Sequence, residues 1–293
     1  MQTKQEIQQP LASAGALPKK RLGQHFLIDL NLARLLVAYP QIRADDVVLE
    51  VGWCTGPLSE ARALKAGHGI AVDLDPVVAR IAESKLANCS NVEVINADIL
   101  ANKHRINAKV LDQIQAVRAA HRGRFLLVAN LPYHIASPLM INLVTAAPPV
   151  DAMVVTIQKE VGDRMMALPG SGEYGGLSIL LQATGHLELV RVLKPTVFWP
   201  KPLVDSAIVS YTHSREKAGK IPNMSLFQDV IDLFMTHRRK MLQATVKKAD
   251  EHLCTRSDWF EIFSQCQVDP TLRPNQLAVQ AYAAMACAIS QMK

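Results

Sequence analysis

Apolar runs alternate with amphipathic segments along the first two thirds of the chain. Each run is short enough to be a buried strand, and the segments between them repeat their apolar residues at helical spacing. The predicted strands lie at residues 46–51, 69–75, 92–98, 124–129 and 152–158. Strands alternating with helices predict an α/β fold with a doubly wound parallel sheet.

Two further strands are predicted after this alternating part, at 187–193 and 206–211. No helical segment separates them, so we expect them to pair antiparallel and to complete the sheet. Charged residues mixed with Gly and Pro at 214–223 then predict a linker. Beyond it, apolar residues recur at helical spacing, and Ser225 is the predicted N-cap of a helix.

These patterns divide the chain into four parts. Residues 1–18 are rich in Gln, Ala and Ser without periodicity, which predicts a flexible tail. Residues 19–213 are the predicted α/β domain, 214–223 the linker, and 224–293 a small helical C-terminal domain.

Composition narrows the class of protein. The formal net charge of +6 is compatible with a polyanionic partner but does not require one. The five cysteines are widely spaced without a C-x-x-C pair, which argues against a disulfide framework or a structural zinc site. No apolar run approaches the roughly 18 residues of a membrane span, and no apolar signal segment opens the chain. We therefore expect a cytoplasmic protein.

The tetrapeptide Asn130-Leu131-Pro132-Tyr133 follows the fourth predicted strand and carries candidate chemistry. Open α/β sheets bind ligands just past the carboxyl ends of their strands. The Asn130 side-chain oxygen and the Leu131 carbonyl can together accept both hydrogens of an exocyclic amine, and Tyr133 offers a flat face to a base. The alternative is an ordinary turn, since Asn and Pro are common turn residues.

Three more positions lie at predicted strand ends. The first strand runs into Gly52 and a predicted helix at 57–66, an arrangement in which backbone amides meet a ligand. Asp73 ends the next strand at the spacing of a ribose-binding carboxylate, and Asp98 ends the third, where it can accept from an adenine amine. For both aspartates the alternative is a capping or turn role, which is the role expected for Asp75 before Pro76.

Several motifs occur together in one order along residues 19–285. They are Leu22-Gly-Gln-His-Phe-Leu27, Glu50-Val-Gly52, Ala71-Val-Asp73-Leu-Asp75, Ala97-Asp98, Asn130-Leu-Pro-Tyr133, Gln158-Lys-Glu160, Phe198-Trp-Pro-Lys-Pro202 with Val204-Asp-Ser206, and His237-Arg-Arg-Lys240. In this order they resemble the ribosomal RNA small-subunit adenine dimethyltransferase family of the KsgA type.

The resemblance implies a class I S-adenosylmethionine-dependent methyltransferase, with a Rossmann-like seven-stranded sheet and a small all-α C-terminal domain. The implied reaction is N6,N6-dimethylation of two adjacent adenines in the 3′-terminal hairpin of small-subunit ribosomal RNA, with a role in small-subunit biogenesis. The implied partner is the immature small ribosomal subunit. We expect the chain to act as a monomer, without a metal and away from membranes.

The resemblance also implies site residues. The cofactor-binding residues would be Gln24, His25, Leu27, Gly52, Asp73, Asp98 and Asn130. The catalytic residues would be Asn130, Leu131, Pro132, Tyr133 and Phe198, with the two aromatic rings holding the flipped adenine on its two faces.

Two departures from the family pattern affect the site. His25 stands where the family more often has Asn, a mild change because imidazole also donates or accepts a hydrogen bond. Trp53 and Cys54 stand where the family's loop usually has a glycine, and we expect weaker cofactor binding as a result. The segment 99–122, which includes the basic group Lys103-His104-Arg105, is typical of an inserted, solvated element without an assigned role.

Two other functions share these motifs. A large-subunit adenine methyltransferase of the macrolide-resistance type shares the first half, whereas the Gln158 and Phe198 motifs favour the small-subunit enzyme. A non-catalytic RNA-binding assembly factor would explain the altered loop, although a site without activity has no reason to keep Asn130, Tyr133 and Asp73.

Overall fold

The computed structural model describes residues 4–52, 66–249, 253 and 256–292. Trp53, Cys54 and most of the helix predicted at 57–66 lie outside the described residues. The described strands are β1 Phe26–Leu27, β2 Val47–Val51, β3 His68–Asp73, β4 Val92–Asn96, β5 Leu100–Asn102, β6 Arg105–Ile106, β7 Phe125–Asn130, β8 Ala152–Gln158, β9 Gly185–Leu193, β10 Phe198–Trp199 and β11 Ser206–His213.

Helices cover most of the remaining described chain. They are α1 Lys4–Ser13, α2 Leu30–Ala38, α3 Pro76–Leu86, α4 Ala108–Ala120, α5 Ala136–Thr145, α6 Lys159–Met166, α7 Gly176–Thr184, α8 Arg215–Ala218, α9 Met224–Thr236, α10 Leu242–Thr245, α11 Arg256–Gln265 and α12 Val279–Met292. None of them is both long enough and apolar enough to cross a membrane.

Seven strands form the central sheet in the order β4-β3-β2-β7-β8-β11-β9. The pairs among β4, β3, β2, β7 and β8 are parallel, and β11 runs antiparallel to β8. The central strand β2 is buried along its whole length, as expected of a parallel strand covered on both faces. The predicted seven-stranded α/β fold is confirmed, and β9 lies beside β11 as expected.

The sheet topology brings the predicted site residues to one edge. Because β2, β3, β4 and β7 run parallel, the residues at or just past their carboxyl ends lie at the same edge of the sheet. Those residues are Gly52, Asp73, Asp98 and Asn130. Helices α2 and α3 each begin after an aspartate N-cap, with the Asp29 and Asp75 side chains accepting from backbone amides of their first turns.

Lys4–Ser13 form helix α1, whereas the sequence predicted a flexible tail over residues 1–18. Ile7 and Leu11 are buried on one face of α1 and belong to a cluster with Phe26 and Val78. The two apolar residues lie four positions apart, so they share a helix face although no longer pattern surrounds them. Burial of that face, and not composition, gives this segment its structure.

The segment 99–122 is ordered as a small unit on the sheet. Strands β5 and β6 form an antiparallel ribbon, and α4 follows with Val110, Ile114 and Val117 buried. These three residues recur at helical spacing and so share one face of α4. Asn107 caps α4 through its side chain.

The chain divides into two compact units at points that differ from the predicted domains. The first unit comprises residues 1–162 and 188–212, and the second comprises 163–187 and 213–293. Residues 163–187 therefore group with the C-terminal helices, because α7 packs against α9 and α12. The predicted linker contains α8, which Ser214 caps.

The second unit has its own aromatic core. Phe234 on α9 lies edge-on to Trp259 and Tyr282, with ring centroids 5.3 and 6.3 Å apart. The prediction that Ser225 begins this helix is wrong: Asn223 is the N-cap, and its side chain accepts from the Leu226 amide.

Candidate active site

A cleft opens at the carboxyl edge of the sheet, entirely within the first unit. Most of its lining comes from the strand ends and from the segment that precedes β1. The lining residues are Leu22, Gly23, Gln24, His25, Val51, Gly52, Val72, Asp73, Leu74, Ala97, Asp98, Ile99, Asn130, Pro132, His134 and Ile135. Seven of the predicted site residues are among them, so the cleft brings together motifs more than 100 positions apart in the chain.

Asn130 ends β7 at the wall of this cleft, and its side chain is held in one orientation. Its amide nitrogen donates a 2.7 Å hydrogen bond to the backbone carbonyl of His25. Since a carboxamide has two donor hydrogens on nitrogen and an acceptor on oxygen, this bond leaves the oxygen as the acceptor for a ligand. An acceptor at this position suits an exocyclic amine.

His25 connects three parts of the site. Its Nδ1 lies 2.7 Å from the carbonyl oxygen of Pro200, so Nδ1 carries the proton and donates. Its ring stacks on Tyr133, with ring centroids 5.4 Å apart, and the Tyr133 hydroxyl shares a 2.6 Å hydrogen bond with the Ser206 hydroxyl. Burial raises the pKa of Tyr133, which keeps its hydroxyl neutral. One face of Tyr133 is therefore covered by His25 in this conformation.

Asp73 is a buried carboxyl at the floor of the cleft. Its Oδ1 accepts a 2.7 Å hydrogen bond from the Asp75 amide. Burial raises the pKa of Asp73 to about 7, and the neighbouring charges of Asp75 and Glu50 add to the rise. A ligand that brings hydroxyl donors to this carboxylate would favour its charged form.

Asp75 and Lys19 form a support beneath the cleft. Lys19 Nζ lies 2.9 Å from Asp75 Oδ2, and the Gln24 amide donates to the same oxygen at 3.2 Å. Burial alone would raise the pKa of Asp75, but the bonds from Lys19 and Gln24 bring it below its ordinary value. Gln24 lines the cleft as predicted while its amide nitrogen holds Asp75, whose N-cap role is confirmed.

Gly52 is required where β2 ends. Its φ of +73° is in the left-handed region, and a Cβ added there would lie 2.7 Å from Cδ of Pro132. The glycine therefore lets the chain at the end of β2 come close to Pro132 in the tetrapeptide after β7. Pro132 itself lines the cleft, whereas Leu131 is buried beneath it.

Asp98 lines the cleft in an exposed position after β4. Its Oδ1 accepts a 2.9 Å hydrogen bond from the Leu100 amide at the start of the β5–β6 ribbon. Asp98 thus has the turn role that the sequence left open as an alternative, and it also lines the cleft.

Two predicted site residues lie elsewhere. Leu27 and Phe198 pair with each other across β1 and β10 and are buried in a core cluster with Leu36 and Ile208. Phe198 is 1% exposed, so it cannot hold a face of an adenine in this conformation. The apolar character of the Phe198 motif agrees equally with a core position and a base-stacking position, which is why the sequence did not separate them.

Sequence reasoning did not single out Gly23, His134 or Ile135 as lining residues, or Lys19 as the partner of Asp75. Gly23 has a φ of +62°, and its neighbours are His134 and the Tyr133 amide. The available signal was a glycine directly before Gln24 and His25, because glycine readily adopts the positive φ found at this turn.

The sequence of this chain is similar to those of known proteins. Residues 15–269 match the model of a family described as ribosomal RNA adenine dimethylase. Two relatives named ribosomal RNA small subunit methyltransferase A, from Bacillus mycoides and Bacillus cereus, are each 34% identical over 278 residues, covering 92% of this chain and 91% of the relative.

Solved structures show the same fold. A dimethyladenosine transferase from Plasmodium falciparum aligns with a TM-score of 0.73 at 21% identity, over 89% of this chain and 96% of that one. The 23S rRNA methyltransferase ErmE aligns with a TM-score of 0.60 at 21% identity, over 91% of this chain and all of that one. With the family match across most of the chain, the protein belongs to the ribosomal RNA adenine dimethylases, a family of methyltransferases.

Proposed function

We propose that this protein transfers methyl groups from S-adenosylmethionine to N6 of two adjacent adenines in the 3′-terminal hairpin of small-subunit ribosomal RNA, twice on each base. The observation that carries the proposal is the fixed Asn130 amide, whose nitrogen is bonded to the His25 carbonyl and whose oxygen remains as an acceptor at the cleft. The reaction is the one that the resemblance implied.

The cleft residues fit the proposed cofactor. Asp73 is a buried carboxylate suited to two ribose hydroxyls, and Asp98 stands at the next strand end as the proposed acceptor for the cofactor's adenine amine. Gly52 lines the cleft at the end of β2 and presents no side chain to a bound ligand. When bound, S-adenosylmethionine supplies a methyl group already activated by its sulfonium.

The chain's own residues then act on the target amine. The N6 lone pair of adenine is delocalised into the ring, which makes N6 a poor nucleophile. Accepting its hydrogens at the Asn130 side-chain oxygen and the Leu131 carbonyl favours the pyramidal nitrogen of the transition state. A neutral amide suffices, because the proton can leave after methyl transfer. The exposed face of Tyr133 is the proposed support for the flipped base.

The small subunit is the preferred substrate for two reasons. The relatives at 34% identity are named small subunit methyltransferases. In addition, the Gln158-Lys159-Glu160 and Phe198 motifs of this chain favour the small-subunit enzyme over the macrolide-resistance type.

Incubation with methyl-labelled S-adenosylmethionine tests the proposal. Immature small subunits, immature large subunits and free ribosomal RNA are the substrates, and digestion of the RNA identifies the labelled nucleoside. We expect dimethyladenosine in the small subunit alone. Label in the large subunit would support the macrolide-resistance type of activity. RNA binding without label, together with no cofactor binding by calorimetry, would identify a non-catalytic assembly factor.

A further inference from the structure

The segment 99–122 carries basic residues of two kinds, and the structure separates them. Arg124, just after this segment, forms two hydrogen bonds with the buried Asp46 carboxylate, the shorter being 2.6 Å, and Arg118 lies over the Phe125 ring and donates to Pro148. These two guanidinium groups hold the sheet and its neighbouring loop together. They are therefore structural.

Lys103, His104 and Arg105 have a different environment. They form the turn of the β5–β6 ribbon, and all three are exposed. Neither Lys103 nor Arg105 forms an ion pair with another described residue. The fold of the ribbon does not use these charges.

The backbone of this turn is nevertheless fixed. The Asn102 side chain accepts a 2.8 Å hydrogen bond from the His104 amide, and the Asn142 side chain of α5 donates to the Lys103 carbonyl at 3.2 Å. At the base of the ribbon, the Asn107 amide donates to Ile99, which is 2% exposed. A fixed turn presents its charges in one place, which lowers the entropic cost of binding a partner.

The ribbon begins at the proposed active site. Asp98 and Ile99 line the cleft, and Asp98 holds the first ribbon residue through the Leu100 amide. Lys103 is five positions after Asp98, so its Cα lies at most ~18 Å from that of Asp98 at the cleft wall. On the other side, α5 starts just after Ile135 of the cleft, so both supports of the ribbon are elements of the site.

From this arrangement we infer that the ribbon turn, Lys103 to Arg105, binds phosphates of the RNA strand that flank the target adenines. Exposed cations without an ion-pair partner among the described residues, held on a fixed turn, match a polyanion, and a separation of at most ~18 Å places the turn within about five nucleotides of one strand from the cleft. Phosphate contacts of this kind position a strand without reading its bases. The inference rests on the proposed function, and it assigns a role to the segment 99–122.

The test compares two double variants with the same loss of charge. Lys103→Ala with Arg105→Ala removes the turn's charges. Arg43→Ala with Arg122→Ala is the control, because both are exposed arginines that precede β2 and β7 at the amino edge of the sheet. Affinity for a transcript of the small-subunit 3′ region is measured at several salt concentrations, with methyl transfer and S-adenosylmethionine affinity measured in parallel.

The turn variant should bind the transcript about tenfold more weakly than wild type, and the slope of log affinity against log salt should fall by about 1.4 for two contacts at ~0.7 each. Its cofactor affinity and melting temperature should stay unchanged, which shows that the site and fold are intact. The control should keep the wild-type slope. Lys103→Arg should retain full binding.

Equal RNA binding and equal salt slopes in the turn variant and the control would overturn the inference while leaving the proposed function standing. If wild type transfers no methyl group but binds the transcript with a slope that depends on the turn, the proposed function fails and the RNA contact stands. A loss of slope in both double variants would show that general charge, and not the ribbon, attracts the RNA.

Discussion

Asn130 and Asp73 both line the cleft, and the fold constrains the orientation of the first and the ionisation of the second. The amide of Asn130 is neutral, and one hydrogen bond to a backbone carbonyl decides which of its atoms meets a ligand. The carboxyl of Asp73 is ionisable, and burial decides how readily it carries a charge. The first effect concerns catalysis and the second concerns binding and stability.

Asn130→Ala should lower the rate of methyl transfer at least 100-fold, because it removes the side-chain acceptor for the target amine. RNA affinity should change little, since phosphate contacts provide most of it. Single-turnover assays with labelled cofactor measure the effect. Asn91→Ala is the matched control, because its amide also donates to a backbone carbonyl but lies before β4 at the opposite edge. Activity of Asn130→Ala within threefold of wild type would reject the role.

Affinity for S-adenosylmethionine should increase with pH. The pKa of Asp73 is raised to about 7 by burial, and ribose hydroxyls favour the ionised carboxylate, so the cofactor must bind the fraction that is ionised. Binding should be about tenfold weaker at pH 6 than at pH 8 and should level off above pH 8. Calorimetric titration across this range measures it. A flat profile in wild type would contradict the assignment, whereas Asp73→Asn should bind weakly at every pH.

Asp73 should also lower the stability of the cofactor-free protein as pH rises. Its pKa in the folded protein lies above the ordinary value, so the folded state binds more protons than the unfolded state between about pH 4 and pH 7, and stability falls across that window. At pH 8, Asp73→Asn should therefore melt several degrees higher than wild type. At pH 4 the two should melt together, and a higher melting temperature at both pH values would point to another cause.

At the scale of elements, short segments are stabilised by what they pack against. Helix α1 has ten residues and a proline inside it, and such a peptide would not be helical alone in water. It is held by Ile7 and Leu11 against Phe26 and Val78. The β5–β6 ribbon is equally short and depends on its hydrogen bonds to Asp98 and Asn142.

Leu11→Ala should release α1 from the first unit, since it removes about 2 kcal/mol of packing from a helix with few other contacts. A short helix can undock without unfolding the rest, so amide exchange should become faster over residues 4–13 with little change in the melting temperature. Gln9→Ala is the control, because Gln9 is exposed on the same helix. Unchanged exchange in Leu11→Ala would show that other contacts hold α1.

At the scale of the molecule, a positive net charge is distributed over two compact units. Not all of its basic residues are available to RNA. Lys19 is paired with the buried Asp75, and Arg238 donates to the Gly172 carbonyl. Arg239 and Lys240, which follow α9, are exposed and remain candidate contacts for RNA phosphates.

Replacing Arg239 and Lys240 by Ala should weaken binding to every RNA tested and lower the salt slope by about 1.4. Replacing Arg215 and Lys220 is the control, because it removes the same charge from the same unit and Lys220 is already paired with Glu216. Filter binding at four salt concentrations separates the two. Equal slopes in both variants and wild type would place the RNA contacts of this unit elsewhere.

Much of the candidate site was predictable, because the ends of strands can be recognised from the local sequence. Gly52, Asp73, Asp98 and Asn130 each follow an apolar run, and the parallel topology that brings them together follows from the alternation of strands and helices. The N-caps Asp29 and Asp75 were predictable for the same reason, since capping is decided within a few residues. These features depend on neighbours in the chain.

Other features depend on contacts that no local pattern encodes. The burial of Phe198 against Leu36, the cover of Tyr133 by His25 and the grouping of residues 163–187 with the C-terminal helices join segments far apart in sequence. Helix α1 was not predicted, because its two buried apolar residues are stabilised by contacts with Phe26 and Val78, which are distant in the sequence. The sequence by itself thus determined the sheet, the edge at which the candidate site lies and the family. The tertiary structure decided which side chains line the cleft and which are buried in the core, because burial and hydrogen bonding are properties of the packed chain.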